Sequence, residues 1–369
     1  MNLIYQKKIG TRVSWPKKYN FFLMDSFKFY IINFIKELLI GKKASCTFYR
    51  KTRISNLVNN SSYNLPINFG RLNPKIIFYV IKRTPGAGFF SNVSFVVCNI
   101  YFALKKKYVP VVDMENFLTW YNERLPIKKS LNSWLYYFKP IKKYKLSEVY
   151  KSKNVLFSSN QYPLGYPMSI SEDKNLCRIF LKYINVNKDI LEIYRNYYNQ
   201  NIKKSKVLGV HFRGCDLKSY RGHPFPATKT QMLNKCNYLI SKYGFQKIFI
   251  CTEEKDYLNF FIKNFGEKLI FFDSYRSFNN PYLYYPRPNH RYYLGRDILL
   301  EAMILSSCDG FLFTNSNVSE AVKLFNFNNS QLREKIDNGR NSNNFLIARF
   351  LWYFKAIIPE FLGGFKRFY

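Results

Sequence analysis

Lys75–Met114 reads KIIFYVIKRTPGAGFFSNVSFVVCNIYFALKKKYVPVVDM. Lys75–Lys82 is a continuous apolar run rich in Ile and Val, as in a buried parallel strand. A turn with two glycines, Thr84–Gly88, follows it. Ser91–Lys107 then reads as a helix ending in three lysines, which suit the negative C-terminal end of its dipole. Val109–Met114 is a second short strand. Together these make a β–turn–α–β unit, the building block of a doubly wound sheet.

A second block of the same kind lies downstream. Lys206–Phe212, Lys247–Cys251, Lys268–Phe272 and Asp309–Thr314 read as strands. Thr228–Tyr243, Lys255–Asn264, Gly295–Ser306 and Asn317–Phe325 read as helices between and after them. Such alternation predicts an α/β protein. Between the blocks, residues 115–165 are aromatic and interrupted by proline, and Ser171–Asn199 reads as helical. The expected organisation is a basic extension over 1–70, an N-terminal Rossmann-like domain over 71–165 and a helical connector over 166–200. A C-terminal Rossmann-like domain over 201–342 and a terminal amphipathic helix over 343–369 complete it. Two blocks joined by a hinge imply a cleft, and nucleotides bind where strand carboxyl ends face one. The loop Asp273–Arg296 is long and filled with Tyr, Pro, Arg and Asn, which marks it as functional.

Of the 369 residues, 58 are Lys or Arg and 23 Asp or Glu, a net charge of +35. Apolar residues make up 47% and aromatics 19%, enough for sizeable cores, so a disordered basic tail is excluded. Residues 1–110 hold 19 Lys/Arg against only Asp25 and Glu37. An anionic neighbour is implied, although a chain this rich in Lys, Asn, Ile, Tyr and Phe owes part of its charge to AT-rich coding. Seven scattered cysteines without a CxxC fit neither a disulfide scaffold nor a zinc ribbon. Met1 to Lys18 has no apolar run of the secretory kind behind its charges, so a cytoplasmic protein is expected. Phe21–Ile40 reads as an amphipathic helix fit for an anionic membrane's inner face. The apolar stretch Phe345–Ile358 is similar: it can lie on an anionic bilayer, but reads rather as a closing helix packed across two domains.

Four constellations carry candidate chemistry. Gly209–Asp216 (GVHFRGCD) puts His211, Arg213 and Asp216 where a strand runs into a loop, and an Arg fork there matches a phosphate pair. Ile250–Glu254 (ICTEE) brings Glu253 and Glu254 to the end of the next strand, where carboxylates suit guanine N–H groups or ribose hydroxyls. Thr314–Glu320 (TNSNVSE) opens a helix whose N–H groups can hold an anion, with capping-box character at Asn317 and Glu320. Gly86–Asn92 (GAGFFSN) allows close backbone approach at Gly86 and Gly88. No Asp-x-Asp occurs, so the usual acidic clamp for a divalent ion on a nucleotide-sugar is missing. A departing diphosphate must then be neutralised by Arg, Lys and helix N-termini.

In order and spacing these motifs, with DILLEAMILSSCDGFLFT at Asp297–Thr314, resemble the fucosyltransferases of the core α1,6 type. The nodulation fucosyltransferases belong there, with the bacterial α1,2 and protein O-fucosyltransferases as more distant relatives. The resemblance covers about residues 75–330. It implies a GT-B architecture: two Rossmann-like, doubly wound domains facing a cleft. The implied activity is an inverting, metal-independent transfer of L-fucose from GDP-fucose to a glycan or glycolipid hydroxyl, with no cofactor. The family pattern His-x-Arg-Arg-x-Asp matches at His211, Arg213 and Asp216, with Gly214 in place of the second arginine. By the resemblance Arg213 and Asp216 are the catalytic pair. Glu253, Glu254, Glu301, Ser316, Asn317, His211, Gly86, Gly88 and Asn92 are the substrate-binding set. The Gly214 departure keeps a second reading open, a different nucleotide-sugar in surface polysaccharide or lipopolysaccharide assembly. A third is a basic nucleic-acid or membrane-binding protein on a Rossmann scaffold, but no specific nucleic-acid motif supports it.

Overall fold

The computed structural model describes residues 52–59, 65–163, 165, 169–277 and 286–367, and of Asn59, Cys215 and Asp216 only the backbone. Residues 48–369 form one compact unit. The Phe21–Ile40 reading lies outside the described residues.

A short helix α1 (Arg53–Asn59) precedes β1 (Leu72–Ile81), α2 (Phe89–Lys105) and β2 (Val109–Val112). These last three are the β–α–β unit expected from the opening stretch. Two short helices follow, α3 (Ser133–Tyr137) and α4 (Leu146–Val149), and then β3 (Ser152–Phe157). The strands form a parallel sheet in the order β2-β1-β3, with Val80 paired to Val111 and to Phe157. No strand is expected at β3, since prolines and aromatics flank a run of only six residues.

The helical stretch read over Ser171–Asn199 is two helices, α5 (Lys174–Tyr183) and α6 (Lys188–Asn201). The chain is extended between them, because Val186 bridges to Phe138 and Asn187 N–H donates to the Tyr137 carbonyl. Asp173 caps α5 by accepting from Asn175 N and Leu176 N.

The second block runs β4 (Val207–His211), α7 (Lys229–Tyr243), β5 (Lys247–Cys251), α8 (Lys255–Phe265), β6 (Leu269–Ile270), α9 (His290–Ser306), β7 (Gly310–Phe313), α10 (Asn317–Phe325) and β8 (Leu332–Lys335). Its sheet is parallel throughout, in the order β6-β5-β4-β7-β8. The order reverses between β4 and β7, the switch point of a doubly wound sheet. The α/β class with two parallel sheets is therefore as expected. β8 is absent from the reading because its sequence, LREK, alternates half-buried and exposed positions.

α9 begins at His290, not Gly295, which shortens the loop before it. It is buried on most sides, its apolar residues lying mostly in its second half, and Arg291, Asp297 and Glu301 are buried with them. Its Gly295 lets Tyr137 in: a β-carbon there would sit 2.3 Å from the Tyr137 hydroxyl oxygen. That hydroxyl donates to the carbonyl of Tyr292 at 3.1 Å. One continuous core runs from α2 and α3 through α5 and α6 to α9 and α10, joining both sheets.

α11 (Phe345–Ile357) closes the chain. Asn344 caps it, accepting from Leu346 N and Ile347 N. The expectation that it packs across two domains is corrected. It buries Ala348 and anchors Trp352 Nε1 on the carbonyl of Pro226, while Leu346, Ile347, Phe350, Phe354 and Ile357 remain exposed.

Candidate functional site

The site grows from the switch point. β4 ends on His211, which is buried and paired in register with Cys251 of β5 and Phe313 of β7. Past the end of β7, Ser316 caps α10, and its hydroxyl accepts from Ser319 N at 3.1 Å. The capping box is Ser316 with Ser319, not Asn317 with Glu320. The Glu320 carboxylate turns away to accept from Ser169 Oγ and from Ser171 N and Oγ. Ser316 Oγ lies 3.5 Å from His211 Nδ1. Burial, reinforced by the Arg213 charge, pushes the imidazole pKa down to about 3, so His211 is neutral at ordinary pH.

Arg213 follows two residues on, beside the carboxyl ends of β4 and β5. Its Nε lies 3.6 Å from Glu253 Oε1, with the two side chains 24% and 26% exposed. At 3.6 Å the pair is longer than a hydrogen bond, so it acts through charge alone. The backbone of Asp216 sits in a 3-10 turn over Cys215–Lys218. Its side chain lies outside the described residues.

Glu254 points elsewhere. Both of its oxygens accept from Lys218 Nζ, at 2.7 and 3.0 Å. The Lys218 ammonium also lies over the rings of Tyr257 and Trp352, at 4.7 and 5.4 Å from their centroids. This packing explains Gly214. A β-carbon there would meet Glu254 Oε1 at 2.1 Å and Tyr257 Cε2 at 2.7 Å, so no second arginine fits. Lys218 is a cation the sequence reading missed, lying two residues beyond the motif at the end of the 3-10 turn.

Glu301 is buried in a closed network. Its Oε1 accepts from Ser274 Oγ at 2.8 Å and from Arg276 Nη2 at 3.0 Å, and its Oε2 accepts from Cys251 Sγ at 3.2 Å. Burial raises its pKa, opposed by the Arg276 charge. Arg287 and Arg296 close on buried Asp297, at 3.2 and 2.7 Å. Arg276 was missed as an individual, although its loop was singled out; composition marked the loop but could not say which cation turns inward.

In the smaller sheet, Gly86 takes a φ of +82°, open to glycine without strain. Asn92 braces that loop through Ala87, accepting from its N–H at 3.0 Å and donating to its carbonyl at 3.1 Å. A β-carbon on Gly88 would meet nothing within 4 Å, so there the backbone is approachable. Arg83, also missed, donates to the Ser91 carbonyl at 2.5 Å and lies over the Phe95 and Tyr162 rings. His211, Arg213, Glu253 and Ser316 thus form one cluster. Asn317 starts the helix beside them, Glu254 and Glu301 each serve a separate cation, and Asn92 bonds to Ala87 of its own loop. On the flank of the larger sheet, a groove of about 1060 Å³ opens between α7, α8 and the C-terminal segment. Lys218, Lys229, Lys235, Tyr257 and Trp352 line it, and Arg213 does not.

No family model and no curated protein matches the chain. Solved structures do. A NodZ alpha-1,6-fucosyltransferase soaked with GDP-fucose is 13% identical, covering 68% of this chain and 92% of that one, with a TM-score of 0.44. The fucosyltransferase NodZ from Bradyrhizobium is 14% identical over 67% and 92%, TM-score 0.44. POFUT1 in complex with GDP-fucose is 14% identical over 70% and 98%, TM-score 0.38.

Proposed function

We propose that the protein is a glycosyltransferase that moves L-fucose from GDP-fucose to a hydroxyl of a glycan or glycolipid, with inversion and without a metal. The observation that supports this best is Arg213, poised past β4 at the switch point, two residues beyond the His211 that Ser316 meets at the start of α10. A diphosphate held there meets a guanidinium fork and the positive end of a helix. As the acceptor hydroxyl attacks the anomeric carbon, charge builds on the departing phosphate and Arg213 meets it. His211, neutral and buried, holds Ser316 in place without adding a charge. The motif order along the chain supports fucose and guanosine as the donor's parts.

Arg213→Ala is expected to keep the fold by circular dichroism and to lose on the order of 10²–10³ in turnover of GDP-fucose. Wild-type turnover is expected to persist in EDTA, and the product anomer read by NMR to be inverted. Full activity in Arg213→Ala, or activity that vanishes in EDTA and returns with magnesium, would sink this assignment.

One observation favours a different nucleotide-sugar. Glu301, which the resemblance puts on the guanine side, and Glu254 of the paired acids are held by Arg276 and Lys218. A donor panel scored by release of GDP, UDP or another nucleoside diphosphate separates the two readings.

A further inference from the structure

The outward face of α11 is apolar where a surface helix is ordinarily polar. At 100° per residue, Leu346, Ile347, Phe350, Phe354 and Ile357 fall within an arc of about 100°. These five are between 49% and 63% exposed, and Phe361 just beyond the helix reaches 82%. Scattered apolar residues on a surface mean little, but a contiguous patch marks a contact. The opposite side does the packing: Ala348 is fully buried and Trp352 Nε1 donates to the Pro226 carbonyl at 2.9 Å.

Charge selects what the patch touches. Residues 345–367 carry Arg349, Lys355, Lys366 and Arg367 against one acid, Glu360. On the helical wheel Arg349 and Lys355 flank the apolar arc on either side, and Lys366 and Arg367 follow it. Glu360 is held by Arg367 at 2.8 Å. A second copy would bring a rim of the same sign against this one. Residues 1–51 would do likewise, with eleven Lys/Arg against Asp25 and Glu37. An apolar stripe between basic margins fits an interface of acyl chains under acidic headgroups.

We infer that α11 and the turn after it form a docking surface for an anionic lipid bilayer, with Phe350, Phe354, Ile357 and Phe361 entering the acyl boundary. No helix among the described residues is long and apolar enough to cross a membrane, so the contact is one of lying on the surface. The inference is independent of the donor chemistry and stands or falls apart from it.

The test uses the full chain and vesicles of phosphatidylcholine with or without 30 mol% (roughly a strongly anionic leaflet) phosphatidylglycerol. Wild-type protein should float with the anionic vesicles, and the pair Phe350→Ser and Phe354→Ser should weaken that by on the order of tenfold per phenylalanine. A melting temperature equal to the wild type's checks that the variant keeps its fold. Lys366→Glu with Arg367→Glu should remove the preference for anionic vesicles. Phe354→Trp should shift its emission to the blue on binding and be quenched by brominated acyl chains. Three results would overturn the inference: no flotation of the wild type at low salt, flotation unchanged by the serine pair, or a dimer in sedimentation that the serine pair dissociates while no variant binds vesicles.

Discussion

His211 shows how one buried side chain makes a site pH-sensitive without being its acid or base. Its pKa falls from 6.5 to about 3, by burial first and by the Arg213 charge second. The unfolded chain takes up a proton near pH 6.5 that the native state refuses until about 3, so the histidine costs stability as pH falls through that window. The free energy of unfolding of wild type minus that of His211→Gln should therefore shrink from pH 7 to pH 4, as read by urea titration. A difference that stays flat would contradict the burial argument. Gly214 is the second residue that carries weight, since Tyr257 and the Lys218-bound carboxylate of Glu254 already fill the place of its β-carbon. Gly214→Ala should cost about 1–3 kcal/mol and lower the melting temperature. Motif reading placed His211, Arg213 and Ser316 in one list, and the fold gathers them. It could not show that Glu254 and Glu301 serve other cations, because those partners, Lys218 and Arg276, lie 36 and 25 residues away along the chain.

At the scale of elements, the strands that could be read were those with unbroken apolar runs. β1, β4, β5 and β7 are buried towards their carboxyl ends, and their composition says so. β3 and β8 are peripheral or short, and an edge strand exposing alternate residues lacks that signature. Helix caps were legible where the sequence offers one register, as at Thr228, and were misassigned where several polar residues crowd together, although the helix bounds themselves held at Asn317–Phe325. The run Ser316, Asn317, Ser319, Glu320 offers two capping registers, and Ser319 wins because Glu320 is drawn to Ser169 and Ser171. Ser316→Ala should cost about 1 kcal/mol by denaturant titration, through the lost cap of α10. An unchanged midpoint would mean that the cap is not what holds that helix start.

For the molecule as a whole, the expected picture of two domains and a hinge is altered by the continuity of the core. Aromatic rings of α2 and α3 pack against α10 and α9: Phe90 meets Phe325 edge-on at 6.4 Å, and Tyr137 stacks on Tyr292 at 5.7 Å. One calorimetric transition is expected for residues 48–369, and Gly295→Ala should move it down as a unit, by about 1–3 kcal/mol. Two separable peaks, only one of them displaced, would show that the sheets melt apart.

The tyrosine seated at Gly295 has a mechanical corollary. A phenol lodged in a notch cut into the central helix works as a detent: swinging one sheet away from the other would drag the ring across backbone. Under the proposed function, exchange of spent nucleotide for fresh donor falls to peripheral segments such as the stretch between β4 and α7, and turnover should tolerate a crosslink that rivets the two lobes together.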